Sequence, residues 1–274
     1  MARDILKRVL TSLAILGVAG AVVFIFPNWV FCLLAILFIG FALHEFFSIL
    51  EKKGLFVYKY FGIVAGIIIP LATYLYLGEG YTNLEPFFIA IACLFTFVLQ
   101  LARKENTTDH LTSIALTLFA LFYISWFFSF FIKIKYLTGG AGLVAFLIIV
   151  TKSGDVGAYF VGKKFGKHPL IPRISPRKTR EGAIGGLIIS VALAVACKRF
   201  LPFLSYPHVL ILGFLLGILG QVGDLAESLF KRDFDVKDSS RHLPGLGGVL
   251  DVIDSLLFTT PIFYFYIKIL RPDL

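Results

Sequence analysis

The sequence predicts an all-α fold, a polytopic transmembrane protein of about nine helical spans with a cytoplasmic N-terminus. Apolar residues make up 58% of the 274 positions and charged residues only 16%, well below the roughly 25% of soluble domains. Thirty Phe and eleven Tyr lie mostly inside long apolar runs, and the mean hydropathy is +0.88. A soluble core cannot bury that much apolar surface, so lipid is the expected solvent.

Nine apolar runs are candidates for membrane spans, each of which needs about 20 apolar residues to cross about 30 Å of hydrocarbon. They cover residues 9–26, 29–50, 56–77, 86–102, 111–132, 137–150, 182–197, 209–220 and 249–270. The first is interpreted as an uncleaved span, since no small-residue cleavage site follows it. The sixth and eighth are short, and a longer helix that continues into the following polar residues is the alternative for each.

Basic residues set the predicted orientation, because cytoplasmic loops are enriched in Lys and Arg. A cytoplasmic N-terminus places 20 of the 26 Lys and Arg residues on the cytoplasmic side. Nine spans then put the C-terminus on the opposite side. We expect a multi-pass protein of the inner, cytoplasmic membrane.

Polar residues divide the chain into two regions. In residues 1–150 they lie mainly in short loops, and this region is expected to be a transmembrane scaffold with lipid access and the contacts of a homodimer. In residues 151–274, Asp, Lys, Arg, Ser and Gly gather at helix ends. The second region is therefore predicted to carry the chemistry, with a polar site that faces the cytoplasm.

A charged loop joins the last two predicted spans. Residues 231–241 contain four cations and three carboxylates, among them Lys231, Arg232, Lys237 and Asp238. Such a loop can bind a triphosphate with its metal, since cations neutralise phosphate oxygens and carboxylates hold the ion. A solvated cytoplasmic loop is the alternative, and charge alone favours it.

Acidic residues stand at the cytoplasmic ends of the same two spans. Asp251 and Asp254 share one face of a helix because they are three residues apart, and Asp224 and Glu227 lie at the end of the preceding span. Helix capping explains an isolated pair. Several acids at membrane depth cost roughly 2.5–3.5 kcal/mol each, which favours a function. Asp224, Asp251 and Asp254 are candidate magnesium ligands.

A loop of small residues, Pro244-Gly245-Leu246-Gly247-Gly248, precedes the Asp pair. Glycines such as Gly247 and Gly248 let backbone N–H groups approach a phosphate, and a helix N-terminus is a ready anion site. Alone the pattern is weak, because Pro-Gly and Gly-Gly also mark ordinary turns. Its position between cations and carboxylates favours substrate binding.

Two further polar blocks precede the seventh span. Asp155 follows the sixth apolar run, where an acid is costly unless it binds something. Residues 175–182 read Ser-Pro-Arg-Lys-Thr-Arg-Glu-Gly. Ser175, Arg177 and Lys178 would lie at headgroup level and hold a lipid phosphate or nucleotide. A basic patch attracted to anionic lipid is an equal alternative.

Several common chemistries lack their motifs. The sequence has no GxSxG, Walker A or HExxH pattern and no GxGxxG preceded by a strand, and its histidines and cysteines show no metal-ligand spacing. Serine-nucleophile, zinc-protease and dinucleotide chemistries lose support. Nucleic acid is not an expected partner.

The polar blocks of the second region resemble the bacterial phosphatidate cytidylyltransferases, also called CDP-diacylglycerol synthases. The family signature is matched in order by residues 228–232 (Ser-Leu-Phe-Lys-Arg), 237–239 (Lys-Asp-Ser) and 244–255 (Pro-Gly-Leu-Gly-Gly-Val-Leu-Asp-Val-Ile-Asp-Ser). Residues 154–159 and 175–182 are similar to two further family blocks. Leu246 and Val252 depart from the pattern, because the family usually has His and Arg there.

The resemblance implies a reaction in which phosphatidic acid attacks the α-phosphorus of CTP, giving CDP-diacylglycerol and pyrophosphate in phospholipid biosynthesis. The implied cofactor is Mg²⁺, with a second cation left open, and membrane lipids are further partners. The implied metal ligands are Asp224 and Asp251, supported by Asp254 and Asp238. The implied phosphate-binding residues are Lys231, Arg232 and Lys237 for the triphosphate, and Arg177 and Lys178 for the lipid phosphate or nucleotide.

Two other functions remain open at this point. A polyprenol or phytol kinase would also use CTP, but it would transfer the γ-phosphate and release CDP. A transporter would use its intramembrane acids to bind a coupling cation. Polar breaks occur only in the second half of the chain, whereas a transporter would show them in both halves, so the enzyme is favoured.

Overall fold

The computed structural model describes residues 17–79, 84–104, 109–236, 239–240 and 247–273. Eight long helices follow one another in these ranges, and residues 17–24 are helical as well. The eight are α1 Asn28–Lys52, α2 Lys59–Glu79, α3 Leu84–Leu101, α4 His110–Tyr136, α5 Gly140–Phe165, α6 Arg180–Ala196, α7 Tyr206–Asp233 and α8 Val249–Leu270. The predicted all-α polytopic fold is confirmed.

Seven of these helices, all except α6, are long and apolar enough to cross a membrane, judged by length and composition within the described ranges. The short sixth and eighth apolar runs are the first parts of α5 and α7, which continue to Phe165 and Asp233. The longer-helix alternative is therefore confirmed. The seventh predicted span corresponds to α6, which has 17 residues. Residues 9–16 of the first predicted span lie outside the described residues, whereas 17–24 of it are helical. The span count and orientation stay predictions.

A short antiparallel hairpin stands between α5 and α6. Strands β1 (Pro169–Ile171) and β2 (Ser175–Thr179) pair with Pro169 opposite Thr179 and Ile171 opposite Ser175. It is absent from the sequence-based prediction because three and five residues are too few to show an alternating apolar pattern. Thr179 ends β2 and caps α6, its hydroxyl accepting a hydrogen bond from the Gly182 amide at 3.2 Å.

Glu181 fixes the start of α6 to the segment that leads into the hairpin. Its carboxylate accepts hydrogen bonds from the backbone N–H groups of Lys167 and His168 at 3.1 and 3.2 Å, and Nδ1 of His168 lies 2.6 Å away. The side-chain hydrogen bond with His168 is the main cause that lowers the pKa of Glu181 to about 2. Because the pKa is lowered in the folded protein, these contacts stabilise it above the ordinary carboxyl pKa and are lost as pH falls toward 2.

The chain divides into two compact units, Met1–Tyr136 with Asp238–Leu250, and Leu137–Lys237 with Asp251–Leu274. The first unit contains α1 to α4. Its buried residues include an apolar cluster formed by Ala65, Ile69, Ala92 and Leu121, with Trp126 packed against it. The second unit contains α5, α6, the hairpin, α7 and most of α8. Most polar residues predicted to carry the chemistry lie in this second unit.

Small residues let the helices of the second unit approach each other closely. A Cβ atom added at Gly186 would lie 2.7 Å from the carbonyl oxygen of Gly154, and one at Gly182 would lie 2.8 Å from that of Ala158. Real Cβ atoms are not found so close to backbone oxygens. α5 and α6 therefore pack backbone against backbone, as small residues permit in membrane helices.

Gly223 gives the same close approach between α7 and α8. A Cβ atom there would lie 2.6 Å from the carbonyl oxygen of Asp254 and 3.1 Å from Cα of Ser255. We expect Gly223→Ala to lower the free energy of unfolding by about 1–3 kcal/mol, since the helices must separate. Gly20→Ala is the control, because no atom lies within 4 Å of its added Cβ. Thermal unfolding in detergent measures both, and equal melting temperatures would contradict this packing.

Candidate active site

A cavity of about 560 Å³ lies among α5, α6, α7 and the hairpin in the second unit. This volume falls within the roughly 300–1,000 Å³ of ligand sites. Its polar lining includes Asp155, Lys163, Ser175, Arg177, Lys178 and Asp224. The structure therefore brings together five residues that the sequence predicts for the site, and it adds Lys163. Cations of the hairpin and α5 share the cavity with carboxylates of α5 and α7.

Lys178 and Asp224 form an ion pair at this cavity. Nζ of Lys178 in β2 lies 2.6 Å from Oδ2 of Asp224 in α7. Asp224 also interacts electrostatically with Lys152 and Asp254. Strand β2 thus brings Lys178 into contact with the acidic end of α7.

Lys152 in α5 is the centre of a second group. Its Nζ lies 3.3 Å from Oδ2 of Asp155 and 3.6 Å from Oδ1 of Asp254, and it donates a hydrogen bond to Oγ of Ser255 at 2.6 Å. The Ser255 hydroxyl is also 3.0 Å from Oδ2 of Asp155. One ammonium group thus joins acids of α5 and α8. Lys152 is not among the predicted site residues, although a cation one turn before Asp155 in a membrane helix is a signal for it.

Lys231 is the centre of a third group. Its Nζ lies 2.6 Å from Oδ1 of Asp251 and 2.6 Å from Oε2 of Glu227. Glu227 is only 1% exposed, and it precedes Lys231 by one turn of α7. Lys231 and Asp251 are both predicted site residues, and the structure places them in contact. If both carboxylates are ionised, the ammonium and the two carboxylates together carry a net charge of −1.

The predicted metal ligands each contact a different lysine: Asp224 contacts Lys178, Asp251 contacts Lys231, and Asp254 contacts Lys152. Within the described ranges, no three Asp, Glu, His or Cys side chains converge closely enough to form a metal site. Mg²⁺ usually binds through one or two carboxylates together with substrate phosphates and water. Asp224, which lines the cavity, therefore fits Mg²⁺ that arrives with a triphosphate, because its carboxylate oxygens are ligands of the kind that Mg²⁺ prefers.

The remaining predicted residues have varied surroundings. Nε of Arg232 donates a hydrogen bond to the carbonyl oxygen of Ile174 at 3.2 Å, which ties the end of α7 to the hairpin loop. Gly247 has a φ of 95°, a conformation that favours glycine. Lys237 and Asp238 lie outside the described residues, as does Leu246, which stands where the family pattern usually has His. Their roles stay predictions.

In this helical membrane protein, the polar cavity combines lysine, arginine and carboxylate side chains, which suits an enzyme that acts on phosphate compounds, because cations bind phosphate oxygens and carboxylates bind the accompanying metal. The chain belongs to the cytidylyltransferase family, whose model matches residues 6–270. It is 36% identical over 275 residues to the phosphatidate cytidylyltransferase of Bacillus subtilis (strain 168), covering 97% of this chain and 98% of that protein.

Two further relatives match over shorter lengths. The phosphatidate cytidylyltransferase of Staphylococcus haemolyticus (strain JCSC1435) is 39% identical over 173 residues, which cover 63% of this chain and 65% of that protein. The uncharacterized protein YnbB of Escherichia coli (strain K12) is 41% identical over 153 residues, which cover 56% of this chain and 51% of that protein.

The family confirms the resemblance stated from the motifs and extends it through the first half of the chain. The protein is an enzyme of the nucleotidyltransferase class and a multi-pass membrane protein. The kinase and transporter hypotheses are not favoured.

Proposed function

We propose that this enzyme transfers the cytidylyl group of CTP to phosphatidic acid and releases pyrophosphate, leaving CDP-diacylglycerol in the membrane. The cavity carries this proposal, because Arg177 and Lys178 line it together with Asp155 and Asp224. Cations of this kind bind phosphate oxygens, and carboxylates bind the metal that accompanies a triphosphate. The volume of about 560 Å³ suits a nucleotide-sized ligand.

The reaction is an in-line displacement at phosphorus. A phosphate oxygen of phosphatidic acid forms a bond to the α-phosphorus of CTP, and the bond from that phosphorus to the bridging oxygen breaks. The electron pair of the broken bond leaves with pyrophosphate. The nucleophile is already anionic, so a strong general base is not needed, and positioning with charge neutralisation supplies most of the acceleration.

Each part of the proposed site has a separate task. Arg177 and Lys178 of β2 would bind phosphate oxygens, with Lys178 exchanging its contact with Asp224 for one with the substrate. Lys231 would hold Asp251 in place from α7, since its Nζ contacts that carboxylate at 2.6 Å. Lys152 would do the same for Asp254 from α5.

Mg²⁺ is the proposed cofactor, and Asp224, Asp251 and Asp254 are the carboxylates that would hold it. When bound, it would neutralise the negative charge that develops on the phosphate oxygens. The proposal also includes a location in the cytoplasmic membrane with the site facing the cytoplasm, which the distribution of basic residues supports. A homodimer is the proposed assembly.

The proposed reaction is tested with detergent-purified protein, phosphatidic acid, Mg²⁺ and CTP labelled at either the α- or the γ-phosphate. We expect the α-label in CDP-diacylglycerol and the γ-label in pyrophosphate, in equal amounts, and no product after chelation with EDTA. A lipid kinase would instead place the γ-label in the lipid and release CDP. No labelled lipid across several divalent ions and acyl chains, with a folded protein, would contradict the proposal.

A further inference from the structure

Glu45 is a buried carboxylate in the apolar helix α1 of the first compact unit. Glu45 is only 1% exposed to solvent. A buried acid in a membrane helix is costly unless other groups bind it. No role for Glu45 follows from the motifs of the second region, and the cytidylyl transfer chemistry does not require it.

The carboxylate of Glu45 binds the first turn of α8. Oε1 accepts a hydrogen bond from the backbone N–H of Val249 at 3.0 Å, and Oε2 accepts one from that of Leu250 at 2.9 Å. The hydroxyl of Ser240 donates to Oε1 at 2.6 Å. All these residues belong to the first unit. A side chain about 200 positions upstream therefore acts as the cap of α8.

Gly248 provides the space for this carboxylate. A Cβ atom at residue 248 would lie 2.8 Å from Cδ and 2.9 Å from Oε1 of Glu45, so any side chain there would displace the cap. The sequence predicts that the small-residue loop and the N-terminus of α8 bind a substrate phosphate through backbone N–H groups. Instead, the N–H groups of Val249 and Leu250 already bind an anion that the protein supplies.

We infer that Glu45 is a positioning residue for the candidate active site. α8 begins at its cap and continues directly to Asp251 and Asp254, so the cap fixes the start of the helix that carries both. A carboxylate suits this role, because two oxygens accept two N–H bonds and the negative charge complements the helix N-terminus. Glutamine at position 45 has one acceptor oxygen, and its amide nitrogen would face an N–H group.

The first test is independent of activity and measures amide hydrogen exchange in detergent. In Glu45→Gln we expect the amides of Val249 and Leu250 to exchange about tenfold faster, the factor that corresponds to the loss of one hydrogen bond. Glu85→Gln is the matched control, since Glu85 is also buried in the first unit and binds Lys133 at 2.8 Å and Trp126 at 2.6 Å. Unchanged exchange at 249 and 250 in Glu45→Gln would overturn the inference.

The second test rests on the proposed function and separates positioning from folding. In Glu45→Gln we expect kcat per folded molecule to fall about 10- to 100-fold, with KM for CTP changed less than about threefold, as when an outer support of a catalytic group is removed. Glu45→Asp keeps both acceptor oxygens and should recover part of the rate, whereas Glu85→Gln should keep the wild-type kcat. Full kcat in Glu45→Gln would overturn the inference. An inactive wild type would instead contradict the proposed function and leave the exchange result standing.

Discussion

Asp251→Asn is expected to reduce the rate of CDP-diacylglycerol formation by about 100- to 1,000-fold in a protein that remains folded. Asp251 lies in the first turn of α8, and its Oδ1 is 2.6 Å from Nζ of Lys231. Asparagine has the same shape and still accepts a hydrogen bond from Lys231, but it lacks the negative charge that makes a carboxylate the stronger ligand for a divalent cation. The measurement is the initial rate of pyrophosphate release at saturating CTP.

Asp233→Asn is the matched control for Asp251→Asn. Asp233 is exposed at the end of α7, and its substitution should leave the rate within about twofold, as for a surface change away from the site. Any residual rate of Asp251→Asn should need a higher Mg²⁺ concentration for half-saturation. Wild-type activity with an unchanged Mg²⁺ requirement would remove Asp251 from the proposed metal ligands.

Of the substitutions proposed here, Lys231→Met is expected to cause the largest decrease in the free energy of unfolding. The ammonium lies 2.6 Å from carboxylate oxygens of both Glu227 and Asp251, and Glu227 is 1% exposed. Removing one partner of a buried ion pair costs about 3–5 kcal/mol, because the remaining charge stays buried. For a chain of this size the melting temperature should fall by roughly 10 °C. The variant should also lose activity, since Asp251 is no longer held.

A second substitution separates the two effects of Lys231→Met. Adding Glu227→Gln removes one of the buried charges, so the double variant should recover part of the melting temperature but none of the activity. Lys59→Met is the control, because Lys59 pairs at 2.9 Å with the exposed Glu51 and exposed pairs contribute at most about 1 kcal/mol. If Lys231→Met melts at the same temperature as Lys59→Met, the contacts of Lys231 with Glu227 and Asp251 do not stabilise the fold.

The sequence by itself determines the class of fold and most of the chemistry. Apolar runs of about 20 residues require helices in lipid, because every backbone polar group must be satisfied within the segment. Acids and cations at the ends of these runs are costly there, and this cost identifies Asp155, Asp224, Asp251 and Asp254 as residues that need a partner. The order of the motifs then indicates cytidylyl transfer.

Only the tertiary structure decides which lysines Asp224, Asp251 and Asp254 contact. Lys152 meets Ser255 across 103 positions, and Glu45 meets Leu250 across 205. A helical pattern shows which residues share a face, but it contains no information on which distant helix that face contacts. The hairpin that presents Lys178 to Asp224 is likewise too short to leave a pattern. The lysine that each of Asp224, Asp251 and Asp254 contacts, and the cap of α8, are therefore set by helix packing rather than by local sequence.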